Sequence, residues 1–192
     1  PASMTLVQVG NPMRPVDTPT INDDRGVRPI CTRPGGTCPR HALTLTEALD
    51  RPGPTALLVS TPQFCQMDVC GPALEVLVDQ AARLAGQWSV VHAEVYVDPM
   101  ASDFPLTPVV DVYGLSFEPS LVVADRSGVG TGVVHFTMDD AEVVEVLDVA
   151  HAEALAGHLD HVVADRGVGL NADLVAICEL LHALAELGGA VA

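Results

Sequence analysis

Short apolar blocks separated by proline- and glycine-rich punctuation run along the chain, and the period inside each block predicts its element. Thr55–Ser60 is continuously apolar up to Ser60 and reads as a buried strand. After it, Leu74, Leu77, Val78, Ala81 and Leu84 recur at three and four residues, which predicts a helix over Pro72–Ala85 stopped by Gly86. Trp88–Val97 reads as a second strand. Thr107–Tyr113 reads as a short helix capped by Thr107, led by Pro108 and ended by Gly114. A strand ending at Ala124, the turn Asp125-Arg-Ser-Gly128 and a strand over Val129–Thr137 form a hairpin. Upstream, Thr44 and Glu47 make a capping box for a short helix ended by Arg51-Pro-Gly-Pro54. Residues 1–43 are an irregular lead-in with one short strand at Met4–Val9. Downstream, Asp139–Asp165 reads as a helix broken near Gly157, and Ala172–Leu187 as a last, very apolar helix capped by Asn171.

The chemistry sits where the first strand hands over to the first long helix. Cys65 and Cys70 lie five residues apart in Ser60–Pro72. The residue before a proline avoids helical dihedrals, so the helix is expected to start at Pro72 with Cys70 just outside it. A thiol beside a helix N-terminus has its pKa lowered by the dipole. The two sulfurs meet only if residues 65–69 fold back, since within one helix they point about 140° apart. The pair is then either a redox or ligand-binding pair or a static bridge.

Three further groups have candidate chemistry. Cys31 and Cys38 bracket the turn Pro34-Gly35-Gly36, which favours a structural disulfide worth about 2–3 kcal/mol. A metal site is the alternative, because His41 follows closely. His92 and Glu94 share one strand face, where a polar pair is ordinarily solvated or satisfied. His151, His158, His161 and Asp165 would share one face if their helix were continuous, either as an ordinary polar face or as metal ligands, and Cys178 lies on the apolar stripe of the last helix as a core thiol.

Composition narrows the partners. With 25 acidic against 9 basic residues the chain carries a net charge of −16, which argues against nucleic acid. No apolar run reaches the length of a membrane span. Four of five cysteines fall in close pairs, which points to disulfides and an oxidising compartment, and a chain opening at Pro1 has the form of a trimmed export product. The last helix is apolar enough to need burial against the domain or a second copy in a homodimer.

The order strand, cysteine pair, helix, strand, short helix, proline-led strand, hairpin and helix over about residues 44–150 resembles the thioredoxin fold. It is most similar to the extracytoplasmic thioredoxin-like proteins of bacteria. The resemblance implies an α/β three-layer sandwich, a central mixed sheet with helices on both faces, as residues 44–150, between the extension 1–43 and a helical extension 151–192. It implies thiol–disulfide exchange with partner proteins through Cys65 and Cys70, without a cofactor, opposite a cis-proline at Pro119. Cys65-x4-Cys70 departs from the family's Cys-x-x-Cys, Phe64 stands where a tryptophan is common, and Gly71-Pro72 follows the cysteines rather than separating them. The copper-delivering relatives carry a histidine before the hairpin; here that region reads Ser116-Phe-Glu118-Pro119, which makes copper the minor reading. A peroxide reductase ranks lower still, since no arginine flanks Cys65. The rival from another class is a non-catalytic binding or scaffold protein with both disulfides frozen.

Overall fold

The computed structural model describes residues 6–152, apart from 66, 85 and 86. The described residues as far as His151 belong to one compact unit. The predicted last helix, with Cys178, and the residues His158, His161 and Asp165 lie outside them.

Four strands form one mixed sheet in the order β2-β1-β3-β4. They are β1 (Thr55–Val59), β2 (Ser89–Ala93), β3 (Ser120–Ala124) and β4 (Gly130–His135). β1 pairs parallel with β2 and antiparallel with β3, and β3 and β4 make the expected hairpin. The crossover from β1 to β2 is α2 (Cys70–Arg83), and α3 (Pro108–Tyr113) joins β2 to β3. The helix α1 (Leu45–Leu49) precedes β1, and a further helix, α4, runs over residues 140–152 as far as described. No helix of the described residues is long and apolar enough to cross a membrane.

Alternation along the two central strands divides the core in two. Leu57 and Val59 of β1, with Val122 and Ala124 of β3, pack on α1, α3 and the lead-in residues Val7, Met13 and Val16. Ala56 and Leu58, with Leu121 and Val123, face the other way onto α2 and onto Val143, Leu147 and Ala150 of α4. Both strands are buried along their whole length, which is why they read as unbroken apolar runs.

Local chemistry sets the ends of the elements. Thr44 and Glu47 form the predicted capping box. Asp139 and Glu142 exchange reciprocal hydrogen bonds of 2.9 and 3.2 Å at the start of α4. Gly114 ends α3 in the left-handed region at φ 63°. Thr107 precedes α3 as predicted, but its hydroxyl donates to the Glu94 carbonyl at 2.6 Å instead of capping the helix.

Three boundaries differ from expectation. α2 begins at Cys70, two residues before Pro72. Gly71 has no Cβ to meet the proline ring, and the first four N–H groups of a helix have no acceptor, so Pro72 costs no bond in the first turn. β2 is shorter than Trp88–Val97, because Val95–Val97 turn away to meet Leu106 and Pro105. The described part of Met4–Val9 is not a strand. The lead-in reaches the sheet instead through a bridge between Pro12 and Val129.

The lead-in also covers the second core. Arg33 makes a two-pronged ion pair with Glu75 of α2, at 2.6 and 2.7 Å. The His92 amide of β2, an edge strand, donates to the Arg40 carbonyl at 3.0 Å, which blunts that edge. Residues 31–41 therefore lie against α2 and β2 beside the junction that carries Cys65 and Cys70.

Candidate functional site

The chain leaves β1 at Ser60 and turns at Thr61–Phe64, where the Phe64 amide donates to the Thr61 carbonyl at 3.1 Å. It folds back at Asp68, whose φ of 55° is left-handed, and enters α2 at Cys70. This is the fold-back that an i, i+5 pair needs. The Sγ atoms of Cys65 and Cys70 and a carboxylate oxygen of Glu118 all lie within 4.8 Å of one another. Neither sulfur is bridged.

The two sulfurs differ in access. Cys70 is completely buried. Cys65 is partly exposed and lines a groove of about 330 Å³ with Met67, Tyr96, Leu106, Phe117 and Phe136. Burial pushes the Cys70 thiol up, followed by its hydrogen bond with Cys65. That reverses the expectation from the helix start: loss of water outweighs the half-charge of the dipole at a fully enclosed sulfur.

Glu118 closes the third side. The Glu118–Pro119 peptide is cis. The carboxylate accepts the Thr61 amide N–H at 2.9 Å and the Cys70 thiol at 3.5 Å. Burial raises its pKa to about 7, against the opposing pull of those two hydrogen bonds. Pro119 itself is buried behind it. Among the described residues no imidazole joins this group; His135, beyond the hairpin turn, bonds Ser120 Oγ at 3.0 Å and packs edge-on against Phe117.

A second constellation lies in the residues 31–41 that cover β2. The donor atoms of Cys31, Cys38, His41 and His92 are all within 4.8 Å of one another, and all four residues are buried. The favoured Cys31–Cys38 disulfide is not formed: both sulfurs are free and each sits 3.7 Å from His92 Nδ1. A hydrogen bond from Cys38, aided by His41 and His92, lowers the pKa of the Cys31 thiol, and the same bond, with burial, raises that of Cys38.

His92 and Glu94 share a face as predicted, but it is an interior one. Both are almost fully buried. Glu94 accepts the Thr32 amide N–H and, at 3.2 Å, the Thr32 hydroxyl. Burial raises its pKa.

Sequence reasoning singled out Cys65 and Cys70, whose sulfurs lie within 4.8 Å of each other, and Pro119, whose peptide bond with Glu118 is cis. It passed over Glu118, which it treated only as the residue before the proline, and it did not join His92 to Cys31, Cys38 and His41. A histidine flanked by Val91 and Ala93 in a strand with both neighbours apolar was the available signal for burial. No protein-family model matches the chain, and no curated protein matches it.

Proposed function

We propose that the protein carries out thiol–disulfide exchange on partner proteins, with Cys65 attacking, Cys70 resolving and Glu118 moving the proton of Cys70. The observation that carries this reading is the triangle of two free sulfurs and one carboxylate, in which Cys65 lines the groove and Cys70 does not. The sheet order, the helix leading from the cysteine loop and the cis-proline before β3 support a thioredoxin-like arrangement around it.

In the oxidising half-reaction the Cys65 thiolate attacks one sulfur of a partner disulfide. The partner's S–S bond breaks, a Cys65–partner disulfide forms, and the first partner sulfur leaves as a thiolate that takes a proton from water. Cys70 then loses its proton to the Glu118 carboxylate and attacks Cys65 Sγ. The Cys65–Cys70 bond forms, the second partner sulfur leaves, and Glu118 returns the proton to it. Two electrons pass to the partner. The reverse sequence oxidises a partner dithiol.

A carboxyl with a pKa of about 7 is matched to this task, since it exchanges protons readily near neutral pH. The groove, mostly apolar with Glu118 at its base, fits an extended segment of a partner presenting its cysteine to Cys65. The expected partners are proteins with accessible thiols or disulfides in an extracytoplasmic compartment.

Trapping tests the reading directly. Reduced Cys70→Ser protein, mixed with a peptide containing one disulfide, should accumulate a mixed disulfide at Cys65. Cys65→Ser should accumulate none, and the unsubstituted chain should release product without accumulation. If Cys70→Ser traps nothing while Cys65 remains free to alkylation, the pair is static and the chain is a scaffold rather than a catalyst.

A further inference from the structure

We infer that Cys31, Cys38, His41 and His92 form a structural zinc site that ties the lead-in to the edge of the sheet. The inference is independent of the exchange reading, because it uses none of Cys65, Cys70 and Glu118.

The donor set is the first argument. Two thiols and one imidazole from residues 31–41 and a second imidazole from β2 converge in a buried space, with no fifth donor needed. Closed sets of this composition bind zinc tetrahedrally. The separations are the second. A tetrahedral zinc with Zn–S of about 2.3 Å and Zn–N of about 2.0 Å places S and N ligands about 3.5 Å apart and two N ligands about 3.3 Å apart. Both sulfurs lie 3.7 Å from His92 Nδ1, and His41 Nε2 lies 3.1 Å from it. Each differs from the ideal by about 0.2 Å, within the movement of a side chain.

The surroundings are the third. His92 Nε2 sits 3.0 Å from Ser60 Oγ and 3.2 Å from the Ser60 carbonyl. With the proton on Nε2 and donated there, Nδ1 turns its lone pair into the cluster, which is how a ligating histidine is ordinarily oriented. The Cys38 amide points at Cys31 Sγ at 3.5 Å, as a backbone donor supporting a thiolate. The turn between the cysteines uses Gly35 and Gly36 at φ 89° and 122°, conformations that bring both sulfurs to one side.

Charge closes the argument. Zinc binding displaces the thiol protons to solvent, and two thiolates balance the divalent cation, so the buried site is neutral. No electron moves, and no oxidant is required. All four positions of the metal are filled by protein, so the site holds structure and leaves no position for substrate.

The test uses the full chain, reduced and stripped of metal with a chelator, then titrated with zinc or cobalt(II). One equivalent of zinc should be retained through gel filtration. Cobalt should give the intense visible bands of a tetrahedral ion with a thiolate charge-transfer band. Cys31→Ser and His92→Ala should abolish both signals, and Cys65→Ser and Cys70→Ser should leave both intact. Because His92→Ala removes a core side chain, Cys38→Ser serves as the second variant, with far-ultraviolet circular dichroism reporting the fold. Failure of the reduced chain to retain zinc overturns the proposal. So does retention that survives Cys31→Ser and Cys38→Ser, or that is lost with Cys65→Ser or Cys70→Ser instead.

Discussion

Replacing Glu118 by Gln removes one charge and keeps the shape, so the consequence can be worked out with its sign. The amide oxygen still accepts the Thr61 N–H now bonded at 2.9 Å. The folded chain holds the carboxyl at about 7, against an ordinary value of 4.5. A raised carboxyl pKa means that the folded state binds more protons than the unfolded state between those values. Its stabilising share is complete below about pH 4.5 and is lost as pH rises through about 7. At 1.36 kcal/mol per pH unit the ceiling is about 3 kcal/mol. The carboxyl is only partly buried, so solvent screening brings the expected figure to about 1–2 kcal/mol. Urea unfolding of the reduced protein should therefore show Glu118→Gln equal to the unsubstituted chain near pH 4. Near pH 8 the variant should be more stable by about 1–2 kcal/mol. The same variant should slow resolution of a Cys65 mixed disulfide by at least about tenfold, and the inflection in that rate near pH 7 should vanish. A variant less stable than the parent at pH 8, with an unchanged resolution profile, would refute both the raised pKa and the proton-transfer role.

Other outcomes follow from the same geometry. In the reduced native protein iodoacetamide should modify Cys65 at least about ten times faster than the fully buried Cys70; equal rates would mean that the groove does not single out Cys65. Thr44→Ala should cost about 1 kcal/mol in urea unfolding through loss of the capping box, and a change under about 0.3 kcal/mol would show that the cap is idle. Gly132→Ala would place a Cβ 2.7 Å from Val146 Cβ and should destabilise by about 1–3 kcal/mol, with Val146→Gly in the same chain, which removes that Cβ, recovering part of the loss. Simple additivity of those two changes would contradict the packing of α4 on β4.

What the sequence disclosed were the features with local causes. The capping box at Thr44 and Glu47, the glycine stop at Gly114 and the Asp125–Gly128 hairpin turn each depend on residues within a few positions, and each formed. The unbroken apolar runs of β1 and β3 read as strands because both of their faces are covered. The start of α2 failed by two residues because a preference measured at ordinary residues before proline is weak at Gly71. What stayed hidden depended on distant parts of the chain. His92 meets Cys31, Cys38 and His41 only because residues 31–41 fold over the edge of β2, and nothing within ten residues of His92 announces that. Glu118 accepts a hydrogen bond from Cys70, 48 residues earlier, a contact that no local pattern around either residue announces. The raised pKa of the Cys70 thiol was likewise a matter of burial, which overrode the helix dipole.

The reduction potential of the Cys65–Cys70 pair tests the central claim most directly. The full chain would be equilibrated in glutathione buffers of graded ratio, and each cysteine read by differential alkylation and peptide mapping. Exchange activity predicts reversible two-electron behaviour between about −270 and −120 mV, the span of known dithiol oxidoreductases. A potential below about −300 mV, or a pair that never closes while both thiols stay intact, would contradict it.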